Sequence, residues 1–381
     1  MRAKVLLASP SFAPAFRYGG PIVSSLGLCE ALCRLGCGVK VITTDAAGGG
    51  AVLGSRLIEQ FMIEQFNSSG ISVVYCKTQF GEDIAPGFPW HLWAGIRWAD
   101  MVLVNGVYSP HVLVAMIMSR MGSRPVVWIP RGSFQQGQPG RRLKRLWLRI
   151  LEFWASRDSV LMMTSDAEIR DSSWALPFLR RMLVPNGVSI PVREVAFANT
   201  GSIRLVFVGR LHPVKDLPLL FRSLALCRRQ FGKSVQLLII GTGTTAYESE
   251  LRASLDELSV ADLVSFAGPV DGEPERIAQF DRCDLGVLVS KHENFGNSIA
   301  EMAAAGLPVI VSENLPWNEV TSKGCGYVVP RSAEAIAMRL SSLNRPELER
   351  MGARARIWMR QEYDWSARAE LLLRETGWLR A

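Results

Sequence analysis

The sequence predicts an α/β protein made of two Rossmann-like domains that face each other across a cleft. Three observations support this prediction. The chain is 381 residues long, which suits two domains of ordinary size. Short β-rich runs alternate with helical stretches from end to end, which is typical of parallel α/β layers. A turn-rich segment with little periodicity, residues 188–201, separates two complete series of such runs and is interpreted as a linker.

The strand candidates fall into two series, one in each predicted domain. In the first domain, residues 1–187, they are residues 4–8, 39–43, 72–75, 101–104, 126–129 and 160–164. In the second domain, residues 202–361, they are residues 204–209, 236–241, 263–267, 285–289, 308–311 and 326–329. Ligands of open parallel sheets bind beyond the carboxyl ends of the strands. We therefore expect the functional residues in the loops that follow these strands, in the cleft.

Composition and charge exclude some classes of protein. With 48% hydrophobic and 20% charged residues, the chain is neither disordered nor collagen-like. The formal net charge of +8 arises in the first 200 residues, which contain 21 basic and 13 acidic side chains, whereas the remainder contains 22 of each. This uneven charge favours an anionic ligand, an anionic membrane or a nucleic acid, and does not choose among them.

Hydropathy and cysteine content predict a cytoplasmic protein with reduced thiols. No apolar run approaches the roughly 18 residues that cross a bilayer. The apolar stretch after the basic N-terminus is only residues 5–8, which is short for a secretory signal. Among the seven cysteines, Cys29, Cys33 and Cys37 repeat every four residues. This spacing favours buried free cysteines on one helix face over the alternative, a metal or cluster site.

The most informative segment is residues 290–301, which joins a strand candidate to a helix. The helix is predicted to begin near Asn297 and Ser298, two residue types that cap helix N-termini. Gly296 lets a ligand approach the backbone closely. A helix N-terminus at the carboxyl end of a strand is suited to a phosphate group. This segment therefore predicts a phosphate site.

Two carboxylates flank this predicted phosphate site. Glu293 lies in the loop, and Glu301 lies about one turn inside the helix, from where its side chain can point back toward the same ligand. Carboxylates accept hydrogen bonds from hydroxyl groups, so the pair favours a phosphorylated sugar as the ligand. The alternative is an ordinary helix start with two solvated glutamates.

Two further loops are candidates for anion binding. Arg210 and Lys215 share the loop after the first strand of the second domain, where two cations could stabilise a leaving diphosphate. The alternative there is an ordinary basic loop. In the first domain, Gly19 and Gly20 precede a proline between the first strand and a helix, so their backbone could approach a phosphate or a sugar.

Residues 240–246 match a dinucleotide-binding glycine pattern but lack its partner residue. The pattern needs an acidic residue at the end of the next strand, about twenty residues on. That strand, residues 263–268, ends without a carboxylate. A glycine turn beside the cleft is therefore the preferred interpretation over a nicotinamide cofactor site.

Six motifs occur in order along the chain: Gly19, Gly20 and Pro21; Thr-Ser-Asp-Ala-Glu at 164–168; Pro-Asn-Gly-Val at 185–188; Gly209 and Arg210 with Lys215; Gly-Thr-Gly at 241–243; and Glu293 with Glu301. Together they resemble the family 4 retaining glycosyltransferases of the GT-B fold. The resemblance covers nearly the whole chain. Its most specific element is the pair of glutamates eight residues apart with Phe-Gly between them.

The resemblance implies roles for individual residues. Glu293 would contact the transferred sugar and, with Arg210 and Lys215, form the catalytic set. Glu301 would bind the ribose hydroxyls of a nucleoside-diphosphate sugar. The implied donor-binding residues are Gly20, Arg210, Lys215, Gly243, Phe295, Gly296, Asn297, Ser298, Ile299 and Glu301. Family members work without a metal, so no metal and no cofactor is expected, the sugar nucleotide being a substrate. Residues 362–381 resemble the helix that crosses back to the first domain in this family.

The sequence departs from the family pattern at two points. Asn294 occupies the position of the usual glycine after the first motif glutamate. Many members have a histidine near the reacting sugar in the first domain, but none of the four histidines here occupies a matching strand end. Asn105 and Arg131 follow two strands of that domain and are our candidates, with Gly19, for acceptor or sugar binding. An arginine cannot act as a base, so Arg131 would at most hold phosphate or stabilise developing charge.

A basic amphipathic segment extends from Arg141 to Arg157. Its predicted apolar stripe consists of Leu143, Leu146, Trp147, Ile150, Leu151 and Trp154. Such a helix is typical either of packing on its own domain with a solvated basic face or of binding at a membrane interface. In the second case, the protein would be peripheral on the anionic inner face of the plasma membrane and would act on a lipid-linked acceptor.

The sequence thus predicts a retaining, metal-independent glycosyltransferase that moves a sugar to a hydroxyl of a glycan or lipid-linked acceptor. Surface polysaccharide biosynthesis is the setting that the resemblance favours. The alternatives are a sugar-nucleotide epimerase of the same fold and an oxidoreductase that binds a nicotinamide cofactor. A nucleic-acid partner is not expected, because the basic region has no recognition-helix or stacking motif.

Overall fold

A parallel sheet organises each of the two units into which the chain divides. The computed structural model describes residues 3–79, 81–135, 142–156, 158–192, 195, 202–270 and 272–379. The first unit is Met1–Gly187 with Trp365–Ala381, and the second is Val188–Asp364. No helix in the described residues is both long enough and apolar enough to cross a membrane.

The first unit is built on a seven-stranded sheet whose order is β5-β2-β1-β6-β7-β8-β9. Every pairing in it is parallel, and a small antiparallel hairpin of β3 and β4 lies outside it. The strands are β1 Lys4–Ala8, β2 Gly38–Thr44, β3 Ala46–Gly48, β4 Ala51–Val52, β5 Ile71–Cys76, β6 Met101–Asn105, β7 Val126–Ile129, β8 Val160–Met163 and β9 Arg180–Leu183.

Helices cover both faces of this sheet, so its central strands are buried on both sides. The residues of β6, for example, are all buried. Two apolar clusters, one on each face, form the core of the unit. The helices are α1 Gly20–Arg34, α2 Ser55–Phe61, α3 Asn67–Ser69, α4 Phe88–Trp98, α5 Pro110–Met121, α6 Arg142–Trp154 and α7 Asp166–Asp171.

The second unit contains a six-stranded parallel sheet of order β12-β11-β10-β13-β14-β15. Its strands are β10 Arg204–Val208, β11 Gln236–Ile240, β12 Val264–Gly268, β13 Leu285–Leu288, β14 Val309–Ser312 and β15 Gly326–Val329. Its helices are α8 Leu217–Phe231, α9 Thr245–Glu257, α10 Glu273–Phe280, α11 Asn297–Ala305, α12 Glu319–Ser322, α13 Ala333–Ser341 and α14 Arg345–Trp358. This strand order is that of a Rossmann fold, and the first unit has the same order with one more strand at its edge.

The predicted α/β class is confirmed, and each strand candidate corresponds to a strand within a few residues. The sequence analysis missed β9 and the β3–β4 hairpin. β9 begins with two arginines and lies at the sheet edge, so it has no apolar run. The hairpin is made of alanine, glycine and a single valine, a composition typical of a loop.

The last helix of the chain, α15 Trp365–Glu375, belongs to the first unit and packs on α1. Trp365 is buried and its ring lies directly over Gly27 and Gly187, where a Cβ atom would overlap it. Glycine is required at these two positions by close approach. The end of the chain therefore covers the face of α1 that contains Gly27.

The apolar stripe predicted for residues 141–157 is packed only in part: Leu151 is buried and Trp147 and Trp154 pack against the core of the unit, but Leu143 and Leu146 do not. Leu148 and Leu151 are its buried residues, whereas Leu143 and Leu146 are 78% and 55% exposed. The prediction erred because Leu148 was assigned to neither face, although it lies three residues before Leu151 on the same side of a helix. The two ends of the predicted segment, Arg141 and Arg157, lie outside the described residues.

Candidate functional site

The second sheet has its topological switch point between β10 and β13, where the strand order reverses. Ligands of this fold class bind in the crevice beyond the strand ends at that point. The loop after β10 contains Lys215, and the loop after β13 contains Glu293. Their side chains form an ion pair, with Lys215 Nζ 2.5 Å from Glu293 Oε1, and are only 17% and 11% exposed. The structure therefore brings these two predicted residues together.

The backbone around Lys215 is held by short-range hydrogen bonds. His212 Nδ1 accepts from Val214 N at 3.2 Å and caps a 3-10 turn, Pro213–Lys215. The two loops of the switch point are joined directly, because Lys291 N donates to the carbonyl of Val214 at 2.7 Å. Hydrogen bonds within the loop after β10, and between that loop and the loop after β13, thus fix the backbone next to Lys215.

Helix α11 begins beside this pair, as the sequence predicts. Gly296 precedes it with φ of +88°, in the left-handed region that favours glycine. Phe295 is buried, its ring packs 5.1 Å from that of Trp317, and its carbonyl accepts from Trp317 Nε1. Any contribution of Phe295 to ligand binding therefore comes from its main chain. Ile299 N donates to the carbonyl of Gly296, so this amide is already engaged.

The N–H groups at the start of α11 point to where an anion would bind, because the first turn of any helix has donors without intrahelical acceptors. Asn297 and Ser298 are half-buried residues of that turn. They lie immediately after the loop that contains Glu293. A cation, a carboxylate and a helix N-terminus thus occur together on two adjacent loops.

Glu301 lies in the second turn of α11 and is paired with Arg276 of α10, at 3.8 Å between Oε2 and Nη1. Burial raises the pKa of this carboxyl, and the charge of Arg276 partly offsets the effect. Arg276 was not predicted as a site residue, since it lies on a different helix with no motif around it.

The positions of two other predicted residues, Arg210 and Gly243, give less support to a role in ligand binding. Arg210 is exposed, and within the described part of the chain its side chain forms no hydrogen bond or ion pair. The structure does not join it to Lys215 and Glu293. Gly243 N donates to Glu248 Oε1 at 2.8 Å, so this amide is already occupied by a carboxylate.

The glycine turn around Gly241 has a packing role. A Cβ atom at Gly241 would overlap the carbonyl oxygen of Gly209, because the two loops approach closely at the ends of neighbouring strands. Together with the carboxylate of Glu248 on the nearby amide, this packing supports the interpretation of residues 240–246 as a structural turn.

The switch point of the first sheet, between β1 and β6, contains a buried polar network. Asn105, the last residue of β6, donates from Nδ2 to Ser9 Oγ at 3.0 Å and accepts from Arg131 Nε at 2.9 Å on Oδ1. Arg131 also donates from Nη1 to Asn186 Oδ1 at 3.1 Å and from Nη2 to Ser25 Oγ at 2.9 Å. The structure thus joins Asn105 and Arg131, the two predicted candidates, by a direct hydrogen bond.

The loop that contains Arg131 is anchored by a fully buried carboxylate. Glu168 Oε1 accepts from Gly132 N at 2.7 Å. Its other oxygen accepts from Thr164 N at 2.7 Å and from Thr164 Oγ1 at 2.8 Å. Glu168 therefore connects the ends of β7 and β8 through hydrogen bonds, and it does so without an ion pair to a described residue.

Gly19 and Gly20 lie at the exposed start of α1. Gly19 has φ of +75°, and a Cβ atom there would meet no other atom within 4 Å, so its backbone conformation alone favours glycine. The same helix supplies Ser25 to the network around Arg131. The sequence analysis did not identify Ser25, Asn186 or Glu168 as site residues. The motifs at 164–168 and 185–188 contain two of them, but only as elements of the resemblance.

No group of His, Cys, Asp or Glu in the described residues is arranged to hold a metal ion. Cys29 and Cys37 are buried, Cys33 is half-buried, and none of the three is in a disulfide. Burial raises the pKa of the Cys33 thiol to about 11, which keeps it protonated at neutral pH. The prediction of three buried cysteines on one helix face holds only in part, because α1 ends at Arg34, before Cys37, and Cys33 is half-buried.

Comparison with solved structures shows the fold family. The chain is similar to Anabaena HepE, crystallised with UDP and glucose, with a TM-score of 0.73, 16% identity and coverage of 99% of this chain and 100% of that one. It is also similar to WaaG, a glycosyltransferase involved in lipopolysaccharide biosynthesis, with a TM-score of 0.64, 15% identity and coverage of 97% and 98%. The fold is GT-B.

Family models define the family. A model of the glycosyl transferase 4-like domain matches residues 19–187, and a model of glycosyl transferases group 1 matches residues 202–345. Together they match most of the chain, which belongs to the family 4 glycosyltransferases. The protein is therefore a glycosyltransferase of GT-B type.

Curated relatives include enzymes that are named for different reactions. The chain is 26% identical over 280 residues to a GDP-mannose:cellobiosyl-diphosphopolyprenol alpha-mannosyltransferase of Xanthomonas oryzae, covering 71% of this chain and 72% of that protein. It is 29% identical over 227 residues to a glycogen synthase of Mycobacterium tuberculosis, covering 57% and 54%.

Proposed function

We propose that this glycosyltransferase transfers a sugar from a nucleoside-diphosphate sugar to a hydroxyl of a glycan or lipid-linked acceptor, with retention of anomeric configuration. The observation that supports this most is the Lys215–Glu293 pair at the switch point of the second sheet, next to the first turn of α11. Lys215 and the helix N-terminus suit the diphosphate, and Glu293 suits the sugar hydroxyls and the positive charge that develops on the sugar.

The nucleoside is proposed to lie against Glu301, whose carboxylate would accept hydrogen bonds from the ribose hydroxyls. Arg276 favours the ionised form of Glu301 that this role needs. HepE was crystallised with UDP, and the Xanthomonas relative is named for GDP-mannose. Sugars of UDP and of GDP are therefore the first donors to test.

In the proposed reaction, the bond between the anomeric carbon and the diphosphate oxygen breaks, and its electron pair leaves with the diphosphate. Lys215, the amides of α11 and, once donor is bound, Arg210 stabilise that charge. The acceptor oxygen forms its bond on the same face of the sugar and passes its proton to the departing phosphate. No metal or cofactor has a step in this scheme, since these cations balance the charge. A chelator should leave the transfer rate unchanged.

A lipid-linked acceptor and a peripheral location on the cytoplasmic membrane face are part of the same proposal. Leu143 and Leu146 are exposed on α6 beside Arg142, Arg145 and Arg149, which are also exposed. Exposed leucines next to arginines suit insertion into an anionic interface. The named acceptor of the Xanthomonas relative, a diphosphopolyprenol-linked sugar, fits this location. Synthesis of a surface polysaccharide is the role that we propose.

Thermal stabilisation by a panel of UDP-, GDP- and ADP-sugars tests the donor. A ligand that binds the native state raises the melting temperature according to its concentration over its Kd. We expect a shift with one sugar nucleotide and loss of that shift in Glu301→Ala. A shift with NAD or with a short oligonucleotide alone would contradict the proposal. Conversion of the donor without acceptor would instead identify an epimerase.

Co-sedimentation with vesicles tests the membrane location. The double variant Leu143→Ser, Leu146→Ser should bind anionic phosphatidylglycerol vesicles several-fold more weakly than wild type. Met338→Ser is the matched control, because Met338 is 64% exposed but lies in the second unit. Equal binding of both variants, or equal binding to neutral vesicles, would refute the membrane contact.

A further inference from the structure

The cation of the first switch point, Arg131, has an arrangement that its structural role does not explain. Its three hydrogen bonds all go to neutral oxygens, those of Asn105, Asn186 and Ser25. A guanidinium has five N–H groups. In the described residues, the other two have no acceptor and the side chain has no ion pair. Its charge is therefore uncompensated at close range.

Nearby carboxylate charge does not resolve this imbalance. Glu168 is the carboxylate that acts on Arg131, but its oxygens accept from Gly132 and Thr164 rather than from the guanidinium. Burial lowers the pKa of Arg131 to about 10, which shows that desolvation of the cation outweighs the attraction of Glu168. Arg131 is still charged at neutral pH. A half-buried cation among neutral groups is costly unless an anion completes its environment.

The backbone of Arg131 is also held in an unusual conformation. Its φ is +55°, in the left-handed region that residues with a side chain rarely adopt. The bond from Gly132 N to Glu168 fixes the next residue, and the buried amides fix the guanidinium. Strained conformations of this kind persist where the surroundings impose them, and they cluster at ligand sites. The result is a guanidinium held in place before any ligand arrives.

We propose that Arg131 is an anion-binding residue of the first domain and that it takes a phosphate oxygen of a substrate through the two N–H groups that the protein leaves unused. Asn105, Asn186 and Ser25 are its positioning residues. The phosphate has two possible sources, the diphosphate of a lipid-linked acceptor and the diphosphate of the donor. The choice of these two sources rests on the proposed function, whereas the proposal that Arg131 binds a phosphate oxygen does not.

Calorimetric titration of the full chain distinguishes these sources. The probes are farnesyl diphosphate, farnesol as its uncharged counterpart, and UDP and GDP. The variants are Arg131→Gln, which removes the charge, and Arg131→Lys, which keeps the charge but loses the planar fork. Arg56→Gln is the control, because Arg56 is an exposed arginine of the same unit. Thermal melting of each variant identifies any that fails to fold.

If the acceptor is the source, Arg131→Gln should weaken binding of farnesyl diphosphate at least tenfold and leave farnesol unchanged. If the donor is the source, the same loss should appear with UDP or GDP. Arg131→Lys should fold and show a smaller loss of the same kind. Wild-type affinity of both Arg131 variants for all three diphosphates would overturn the proposal. If no sugar nucleotide shifts the melting temperature, or if the shift persists in Glu301→Ala, the proposed function is refuted. The proposal for Arg131 is not, because Glu301 lies in the second domain.

Discussion

The two sheets share a strand order, apart from one extra edge strand in the first, but their switch points differ in charge. In the second domain, Lys215 and Glu293 neutralise each other in an ion pair. In the first domain, Arg131 donates to three neutral oxygens, and the carboxylate that acts on it, Glu168, accepts from Gly132 and Thr164 instead. A cation that is already paired must exchange its carboxylate partner for an anionic ligand, whereas Arg131 has, among the described residues, no ion-pair partner to exchange. Shared topology therefore fixes where a ligand binds, and the residues at the strand ends fix what it must be.

The largest expected effect on activity sharpens the contrast at the second switch point. Lys215→Ala and Glu293→Ala should each lower the rate of sugar transfer at least about tenfold, which is about 1.4 kcal/mol of transition-state stabilisation. In the proposed reaction, Lys215 stabilises the leaving diphosphate and Glu293 stabilises the sugar. The kcat and KM of both variants, measured with the donor that the panel identifies, check this. Near-wild-type turnover in both would contradict the assignment of the catalytic residues.

Stability measurements test the role of Glu168, which anchors the loop that contains Arg131. Glu168→Ala removes a buried carboxylate that accepts three hydrogen bonds. It should lower the free energy of unfolding by about 3 kcal/mol, because the Gly132 and Thr164 donors are left without acceptors. Urea denaturation measures this change, with Glu59→Ala as the exposed control. A change no larger than that of the control would show that the anchor is unimportant.

The tail helix offers a somewhat smaller test of how the first domain is completed. Gly27→Ala places a methyl group against the ring of Trp365 and should cost about 1–3 kcal/mol of stability by overpacking. Gly54→Ala is the matched control, since it has open space around it. If both substitutions leave the melting temperature unchanged, α15 does not pack on α1 as described.

The smallest effect concerns Glu301 and pH. The pKa of its carboxyl is raised in the folded protein, so the folded state binds this proton more tightly than the unfolded state. The resulting stabilisation is fully present below the unfolded pKa, about 4.3, and is lost as the pH rises through the higher folded value. Glu301→Gln does not titrate. The melting temperature of the wild type, relative to this variant, should therefore fall as pH rises through that window. A difference independent of pH would contradict the shift.

The second site was more predictable from sequence than the first because of how each is assembled. Glu293, Gly296 and Glu301 lie within one continuous segment, so spacing alone places them together. The first site draws its groups from distant segments: Ser9, Ser25, Asn105, Arg131 and Asn186. The sequence identified the two at strand ends, Asn105 and Arg131. Serines in a helix or a loop give no local signal, and only the fold brings them to the arginine.

The same distinction explains the accuracy of the fold prediction. Strands buried on both faces appear as apolar runs and were found, whereas the edge strand β9, with its two arginines, was not. The fold class followed from the alternation of strands and helices. The packed face of α6 depends on which residues the rest of the domain covers, which the periodicity of that segment did not determine.

The central claim is that the paired cation at the second switch point takes the diphosphate of the donor. In the free protein Lys215 is paired with Glu293, so the proposal implies that Glu293 competes with a diphosphate for this lysine. Calorimetric titration of the matching nucleoside diphosphate tests this directly. We expect Lys215→Ala to weaken binding and Glu293→Gln to strengthen it, because the lysine is then released. Equal weakening by both substitutions would contradict the account, since Glu293 would then support binding of the diphosphate and not compete with it.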